Sequence, residues 1–296
     1  MNETALLQQI LPLFRRDENM LVPPGDDCAL LKFGDRCLLA AADQVISNVH
    51  YYEDTAPERV AAKLLKRNLS DIAAMGGIPR WALLTLAVNG RSDEWMQRFF
   101  AGLEACAQQY NVTVAGGDLA SLPTRLDCAA LTILGEVEPD KVCLRQNARP
   151  GELIAVTGAL GDTLRTGHNL DFEPRLDEGR FLAQNNFSCC MMDLSDGMAA
   201  DLPKLLNASG CGAEIELDKL PCRNHCDPRQ ALSDGEDYEL LFTIPPDKYQ
   251  ELQKKWPFAT TLTAVGRVTD TRTVKYTTAG KVVPDLEING YEHCKF

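Results

Sequence analysis

The stretch Cys37-Leu38-Leu39-Ala40-Ala41-Ala42-Asp43 guides the prediction of the fold, because an apolar run ends abruptly in a carboxylate. The same pattern returns where residues 112–115 lead into Gly116-Gly117-Asp118, and where residues 189–192 lead into Asp193. Short apolar runs of this kind are typical of buried strands, so we expect three strands that each end in an acid. Several carboxylates gathered together cannot all stay ionised without a cation between them, and the pattern therefore predicts a divalent metal site.

Strands and helices alternate in both halves of the chain, which predicts an α+β architecture of sheets covered by helices, in α/β layers. The 296 residues are enough for two domains, each with a sizeable core. A polar, proline-bearing segment at residues 136–151 is the predicted boundary. We therefore expect an N-terminal α/β domain at 1–139 and a C-terminal α/β domain at 140–296.

The composition restricts the class of partner. A net charge of −12 argues against a nucleic-acid partner, which would need a basic face, but it allows a polyphosphate that Mg²⁺ bridges to the protein. No apolar run has the length of a membrane span. The basic pair Arg15-Arg16 follows the apolar stretch 6–14, whereas a signal peptide has the opposite order, so the predicted location is the cytoplasm.

The cysteines predict buried, reduced thiols rather than disulfides. Eleven of them are scattered and mostly lie in apolar runs, as Cys37, Cys128, Cys189 and Cys190 do. The segment Cys222-x-x-His225-Cys226 resembles half of a zinc site, but no second half with ligand spacing follows, and its role stays open.

One long helix is predicted from Pro57 to Met75, with proline at its start and Gly76-Gly77 after its end. Its apolar stripe brings Asp71 onto or beside the inward face, where a carboxylate needs hydrogen bonds or a metal. The alternative is a surface or capping acid. The basic residues Lys63, Lys66 and Arg67 are expected largely on the other faces.

Five segments together resemble the thiamine-monophosphate kinase family. They occur in the order and approximate spacing of that family and, with Gly290-Tyr291, span nearly the whole chain: Gly25-Asp26-Asp27-Cys28-Ala29, Asn68-Leu69-Ser70-Asp71-Ile72-Ala73-Ala74-Met75-Gly76, Gly116-Gly117-Asp118, Asp193-Leu194-Ser195-Asp196-Gly197 and Gly235-Glu236-Asp237-Tyr238-Glu239-Leu240. The family belongs with aminoimidazole-ribotide synthetase and selenophosphate synthetase in a two-domain ATP-binding fold without a P-loop. The sequence has no G-x-x-x-x-G-K-[ST] motif.

The resemblance implies that ATP phosphorylates thiamine monophosphate to thiamine diphosphate with the help of several Mg²⁺ ions. It also implies a homodimer in which the N-terminal sheets pair to form a barrel. The implied metal ligands are Asp27, Asp43, Asp71, Asp118, Asp193 and Asp196. The implied ATP contacts are Gly117, Asp118, Arg145 and Ser195, and those to the thiamine substrate are His50, Glu236 and Tyr291. Asp43, Asp71, Asp118 and Arg145 would support catalysis, by holding metal and stabilising phosphate charge.

The three residues implied to bind the thiamine substrate also have ordinary structural interpretations. His50 could be a partly buried histidine, Glu236 a loop acid, and Tyr291 a cover for an edge strand.

The sequence departs from the family pattern near the expected metal ligands. Ala41 and Ala42 replace the hydroxyl residues usual before Asp43, Leu119 replaces a threonine, and Asp234 replaces a glycine. Because Mg²⁺ often keeps several waters, we expect the metals to remain but one site to be weaker. A catalytically weakened nucleotide-binding relative therefore stays open as an alternative. So does another synthetase of the superfamily that acts on a different acceptor.

Overall fold

The computed structural model describes residues 3–15, 17–124, 126–284, 288 and 290–291. The N-terminal half contains these elements: α1 (Glu3–Ile10), β1 (Ala29–Phe33), β2 (Arg36–Ile46), α2 (Pro57–Ala74), β3 (Ile78–Val88), α3 (Asp93–Gln109), β4 (Thr113–Ser121) and β5 (Cys128–Val137). The C-terminal half contains these: β6 (Leu153–Thr157), α4 (Thr163–Thr166), α5 (His168–Asp171), α6 (Leu176–Gln184), β7 (Cys190–Asp193), α7 (Met198–Ser209), β8 (Gly212–Glu216), α8 (Pro228–Ser233), β9 (Leu240–Ile244), α9 (Pro246–Lys255), β10 (Leu262–Thr269), β11 (Val274–Thr278) and β12 (Lys281–Val282).

The N-terminal sheet has five strands in the order β1-β2-β5-β3-β4. The β3–β4 pair is parallel and the other pairs are antiparallel. Burial alternates along β5, where Ala129, Leu131 and Ile133 face the core. Such alternation means that the core covers one face of the sheet and leaves the other face outward.

The C-terminal sheet has seven strands in the order β12-β11-β8-β10-β6-β9-β7. Within this sheet, only the β8–β11 pair is parallel among the described strand pairs. All five residues of β9 and all four of β7 are buried, so both faces of this part of the sheet are covered. The described chain is therefore a two-domain α+β fold with two mixed sheets, as predicted.

Two predicted strand ends were wrong. Asp43 lies inside β2, which continues to Ile46 because β5 pairs with it along that length. Asp118 lies in the middle of β4, which runs on to Ser121 beside β3. Cross-strand pairing overrides the local glycine signal at Gly116-Gly117. Asp193 is the last residue of β7, as expected.

Helix α2 is the element that connects the two halves. It begins at Pro57 and ends at Ala74, close to the predicted limits. It packs on the N-terminal sheet and on α3, and also on α5, α6 and β7 of the C-terminal half. A helix covered on several sides brings residues from more than one face into buried positions, including its charged ones.

Candidate active site

Three of the predicted acids converge where α2 meets the C-terminal sheet. Asp27 comes from the loop before β1, Asp71 from α2, and Asp193 from the end of β7. One carboxylate oxygen of each lies within 4.8 Å of the others, and no other such group of His, Cys, Asp or Glu occurs among the residues that the structure describes. Ser70 Oγ donates a hydrogen bond of 2.6 Å to Asp193 Oδ2 and so fixes one of the three carboxylates. We call these three residues the acid triad.

Burial and mutual repulsion favour the protonated forms of Asp71 and Asp193 when no cation is bound. Burial, followed by the charge of Asp27, raises the pKa of Asp193 to about 8. Burial and the neighbouring charges of Asp193 and Asp43 raise the pKa of Asp71 well above its ordinary value. Anionic carboxylates in this position need positive charge close to them, and their hard oxygen atoms are the ligands that Mg²⁺ prefers.

Arg145 provides positive charge at one edge of the triad. Its Nη2 lies 2.6 Å from Asp27 Oδ1, and its Nε donates to Asp27 Oδ2 at 3.2 Å. The backbone N–H of Arg145 donates to Asp26, whose pKa is raised to about 6 by burial and by Asp27. The arginine therefore lies beside the acids. The resemblance implies that this residue contacts ATP.

Asp43 lies next to the triad and pairs with Arg67 on α2. Arg67 Nε donates to Asp43 Oδ2 at 3.1 Å and Nη2 to Oδ1 at 3.3 Å. Arg67 Nη1 also donates to the carbonyl of Gln44 at 2.9 Å, and the Asp43 N–H donates to Asn68 Oδ1 at 3.1 Å. Two-point contact with a carboxylate holds a guanidinium in one orientation.

A cavity beside Arg67 brings together the residues that were expected to contact thiamine. Its lining residues are Val49, His50, Arg67, Leu164, Ser195, Asp234, Gly235, Glu236, Tyr238 and Tyr291. The structure therefore gathers His50, Glu236 and Tyr291, and adds Ser195, although these residues are far apart in the chain. Acidic and aromatic side chains in one cavity suit a cationic heteroaromatic ligand.

Lys63 contacts two of the residues that line this cavity. Its side chain is fully buried, and its Nζ lies 2.6 Å from Glu236 Oε1 and donates to the carbonyl of His50 at 2.6 Å. Burial lowers the pKa of Lys63, and the charge of Glu236 opposes that shift. The lysine therefore connects two of the cavity residues to α2.

The loop that carries Glu236 has a strained backbone. Glu236 and Tyr238 adopt φ values of 56° and 50°, in the left-handed region that non-glycine residues rarely occupy. The Glu236 N–H donates to the Ser195 carbonyl at 2.7 Å and the Tyr238 N–H to the Leu194 carbonyl at 2.8 Å. Such strain persists where the surroundings hold it, and it is concentrated at functional sites. Here it directs the Glu236 side chain into the cavity.

Two other predicted metal ligands lie outside the triad. Asp196 Oδ2 accepts from Lys204 Nζ at 2.7 Å, and its backbone N–H donates to Asp201 at the start of α7. Asp118 is exposed on the edge strand β4. Asp43 and Asp118 are separated by the strand order β2-β5-β3-β4, so three strand spacings of about 4.8 Å lie between them.

Gly117 has a packing reason to be glycine. A Cβ atom at this position would lie 1.7 Å from the carbonyl oxygen of Leu84 on β3. The glycine therefore permits close approach of β4 to β3, whatever else its backbone contacts.

A larger cavity lies elsewhere and contains none of the predicted site residues. Its volume is about 220 Å³, and Lys141, Arg149, Glu152 and Lys248 are among its lining residues. Cavity size alone would favour this location, but the acid triad and the strained loop favour the smaller cavity at Arg67.

The thiol predictions are partly wrong. The ten cysteines in the described part of the chain are free, yet Cys189 is exposed and Cys128 is only half-buried. Cys128 lies at the start of β5, with its side chain on the outward face. Cys222, His225 and Cys226 do not converge into a three-ligand group within the described ranges.

The expected outward position of Lys63, Lys66 and Arg67 was wrong. All three are buried, and each pairs with an acid from another element: Glu236, Glu173 and Asp43 respectively. The sequence does place two of these cations on the side of Asp71, because Lys63, Arg67 and Asp71 are spaced by four residues and therefore share one helix face. The apolar stripe alone could not reveal it, since that stripe marks only the side facing the first core.

Two domain models identify the class of protein to which this fold with two mixed sheets belongs. Residues 25–137 match the model of the AIR synthase related protein N-terminal domain, and residues 150–278 match that of the C-terminal domain. The chain belongs to this class, and within it to the thiamine-monophosphate kinase family.

Individual relatives support the family assignment over the whole length. The chain is 33% identical to the thiamine-monophosphate kinase of Haemophilus influenzae, over 97% of this chain and 95% of the relative. A solved structure described as AaThiL complexed with AMPPCP and TMP has a TM-score of 0.84 and 27% identity, and covers 99% of this chain and 97% of the other. The thiamine-monophosphate kinase structure from Stenotrophomonas maltophilia has a TM-score of 0.76 and 30% identity, with 95% and 98% covered.

Proposed function

We propose that this protein transfers the γ-phosphoryl group of ATP to thiamine monophosphate, giving thiamine diphosphate and ADP. The observation that carries the proposal is the acid triad beside a cavity lined by His50, Glu236 and Tyr291. Relatives named thiamine-monophosphate kinase and the similar structure with AMPPCP and TMP support the same reaction.

The acid triad would hold Mg²⁺. The triad offers three carboxylates with hard oxygen donors, and the pKa values of Asp71 and Asp193 are raised, so a bound divalent cation would stabilise their ionised forms. Bound Mg²⁺ would neutralise phosphate charge and help to align the two substrates. Ser70 keeps the Asp193 carboxylate in place, and Arg145 orients Asp27 through two hydrogen bonds.

The remaining predicted ligands belong to the proposal as acids at the edge of the site. Asp43 would bind metal through the free lone pairs of its carboxylate while it keeps its contacts with Arg67, and Asp196 would leave Lys204 to reach a metal. Asp118 is exposed on an edge strand, and we propose that it acts at a site completed by a second copy of the chain.

The chain's own groups bind and orient the substrates. Arg145, Ser195, Gly117 and Asp118 are the proposed ATP contacts, with the guanidinium placed to stabilise phosphate charge. His50, Glu236 and Tyr291 would hold the thiamine part of the acceptor, where an acid and an aromatic ring match its positive charge. No general base is required, because the attacking phosphate is already largely deprotonated near neutral pH.

A homodimer through the N-terminal sheet is part of the proposal. The side of the sheet away from the core exposes large apolar side chains on β3, where Trp81 is 43% and Leu83 is 44% exposed. Neighbouring exposed apolar side chains on a sheet favour association. Sedimentation equilibrium should give twice the mass of one chain, and a monomer at micromolar concentration would contradict the dimer.

The cytoplasm is the proposed location, since the ATP-dependent reaction and the free thiols match a reducing compartment. In the described part of the chain, no helix has the length and apolar character needed to cross a membrane.

The test of the function is ADP release from ATP and Mg²⁺, with and without thiamine monophosphate, and chromatographic detection of thiamine diphosphate. Acceptor-dependent ADP release with matching thiamine diphosphate is the expected result. ATP binding without turnover would instead indicate a catalytically weakened relative. Turnover with another phosphate or carboxylate acceptor, but not with thiamine monophosphate, would indicate a different synthetase of the same class.

A further inference from the structure

Arg67 is a cation that has no assigned role in the proposed reaction. Among the described residues that line the substrate cavity, it is the one lysine or arginine. The other charged residues of the lining are Asp234 and Glu236, apart from the titratable His50. Thiamine monophosphate is cationic at its ring and anionic at its phosphate, so a matching cavity needs acids at one end and a cation at the other.

The position of Arg67 matches the phosphate end. Arg67 lies one helical turn before Asp71 of the acid triad, on the same side of α2, and it also lines the cavity. Arg67 therefore lies between the triad, where ATP phosphates and metal would bind, and the side chains that would hold the thiamine ring. The acceptor phosphate must occupy this same intervening space for one phosphate to reach the other.

The guanidinium also has capacity for an anion. It carries five N–H donors, and three hydrogen bonds of Arg67 go to the two oxygens of Asp43 and to the carbonyl of Gln44. The remaining two N–H groups belong to Nη1 and Nη2, the two amino groups of the fork. Because Asp43 and Gln44 hold the plane of the fork, little side-chain freedom is lost when an anion binds.

We infer that Arg67 binds the phosphate of the acceptor, oriented for this purpose by Asp43 and Gln44. This inference rests on the proposed function and adds a specificity residue to it: Arg67 distinguishes thiamine monophosphate from thiamine, which has no phosphate.

The test compares the binding of thiamine monophosphate and thiamine by calorimetry, in EDTA and without ATP, so that no metal contributes. The variant Arg67→Met removes the charge and keeps a flexible, unbranched side chain that replaces the apolar part of the arginine. We expect its affinity for thiamine monophosphate to fall by about 10- to 100-fold, as for the loss of charged hydrogen bonds. Its affinity for thiamine should stay within about twofold.

Three variants make the result specific. Lys66→Met removes the neighbouring buried cation, which pairs with Glu173 and lies outside the cavity lining, and should bind both ligands as the wild type does. Arg67→Lys retains a point charge and should recover part of the affinity. The double variant Asp43→Asn, Arg67→Met removes the anion left unpaired in Arg67→Met, and should still bind thiamine monophosphate weakly.

Three outcomes would overturn the inference. One is an unchanged affinity of Arg67→Met for thiamine monophosphate, and another is an equal loss for both ligands, which indicates a structural role. Recovery of full affinity in the double variant would also contradict it, because repulsion by Asp43 would then explain the loss. These failures leave acceptor-dependent turnover by the wild type intact. A wild type that neither binds nor phosphorylates thiamine monophosphate would instead refute the proposed function and the inference with it.

Discussion

The acid triad and a second group of buried acids differ in the cations that reach them. In the second group every carboxylate has its own arginine: Asp162 with Arg165, Asp237 with Arg223, and Glu239 with Arg175. We call these three the paired acids. In the triad, Asp27 forms an ion pair with Arg145, and Asp193 accepts a hydrogen bond from Ser70. Asp71 has no ion-pair partner among the described residues.

This difference separates acids that serve the fold from acids that serve a ligand. A buried carboxylate with an arginine is already neutralised, and removal of one partner leaves the other charge unpaired. A buried carboxylate among other carboxylates stays costly until a cation arrives. Removal of a negative charge should therefore destabilise the protein in the paired acids and leave its stability unchanged or higher in the triad.

The largest expected effect is on turnover, in Asp71→Asn. Loss of this carboxylate removes a proposed metal ligand, and we expect ADP release to fall by at least about 100-fold. Stability should be unchanged or higher, because one of three mutually repelling acids has become neutral. Steady-state kinetics and urea denaturation measure the two effects, and near-wild-type turnover would refute a metal-binding role for Asp71.

The converse effect is expected in the paired acids, with Glu239→Gln. Glu239 accepts two hydrogen bonds from Arg175, and Thr157 Oγ1 donates to it at 2.7 Å. The variant keeps the shape and leaves Arg175 without its anion, so we expect the free energy of unfolding to fall by about 3 kcal/mol. Urea denaturation provides the value, and a variant as stable as the wild type would show that the two groups of acids do not differ as argued.

A smaller effect is expected from pH. The raised pKa of Asp193 means that its proton stabilises the metal-free fold fully below about pH 4, and that this stabilisation is lost as the pH rises toward 8. The melting temperature of the metal-free protein should therefore fall by about 2–6 °C between pH 6 and 9.

Magnesium separates the triad from other groups in that pH experiment. Burial also raises the pKa of Asp237 to about 7, so the fall in melting temperature is not specific to the triad. Stabilisation by Mg²⁺, however, should grow between pH 6 and 9, because protons and metal compete for the same carboxylates. Equal stabilisation by Mg²⁺ at both pH values would contradict the assignment, and Asp193→Asn should show a weaker dependence.

The smallest expected effect concerns the missing hydroxyls before Asp43. Side chains alternate along β2, so Ala41 shares the inward face with Asp43, whereas Ala42 is exposed on the other face. Ala41→Ser should tighten the weakest Mg²⁺ site by about two- to fivefold, worth less than 1 kcal/mol. The matched control is Ala42→Ser, whose hydroxyl lies on the other face of β2 and should leave the Mg²⁺ affinity unchanged. A metal titration in which Ala42→Ser has the larger effect would contradict this geometry.

The sequence by itself predicted the two-domain α+β fold, the limits of α2 and the three acids that the structure brings together as the triad. It succeeded there because helix limits and motif order are local properties. Proline at the start of α2, the capping Ser92 of α3 and Gly210 at the end of α7 each act within one turn of the helix that they limit.

The tertiary structure decided which charges meet. Lys63 and Lys66 lie on sides of α2 that would face solvent if only one sheet covered the helix, and the C-terminal half buries them against Glu236 and Glu173. Arg67 instead pairs with Asp43 on β2, 24 residues away in sequence. Likewise, Asp118 follows Gly-Gly as a strand-ending acid would, yet pairing with β3 carries β4 past it. Periodicity reports one buried face of one element, whereas burial on a second face and the pairing of charges depend on packing between elements distant in the chain.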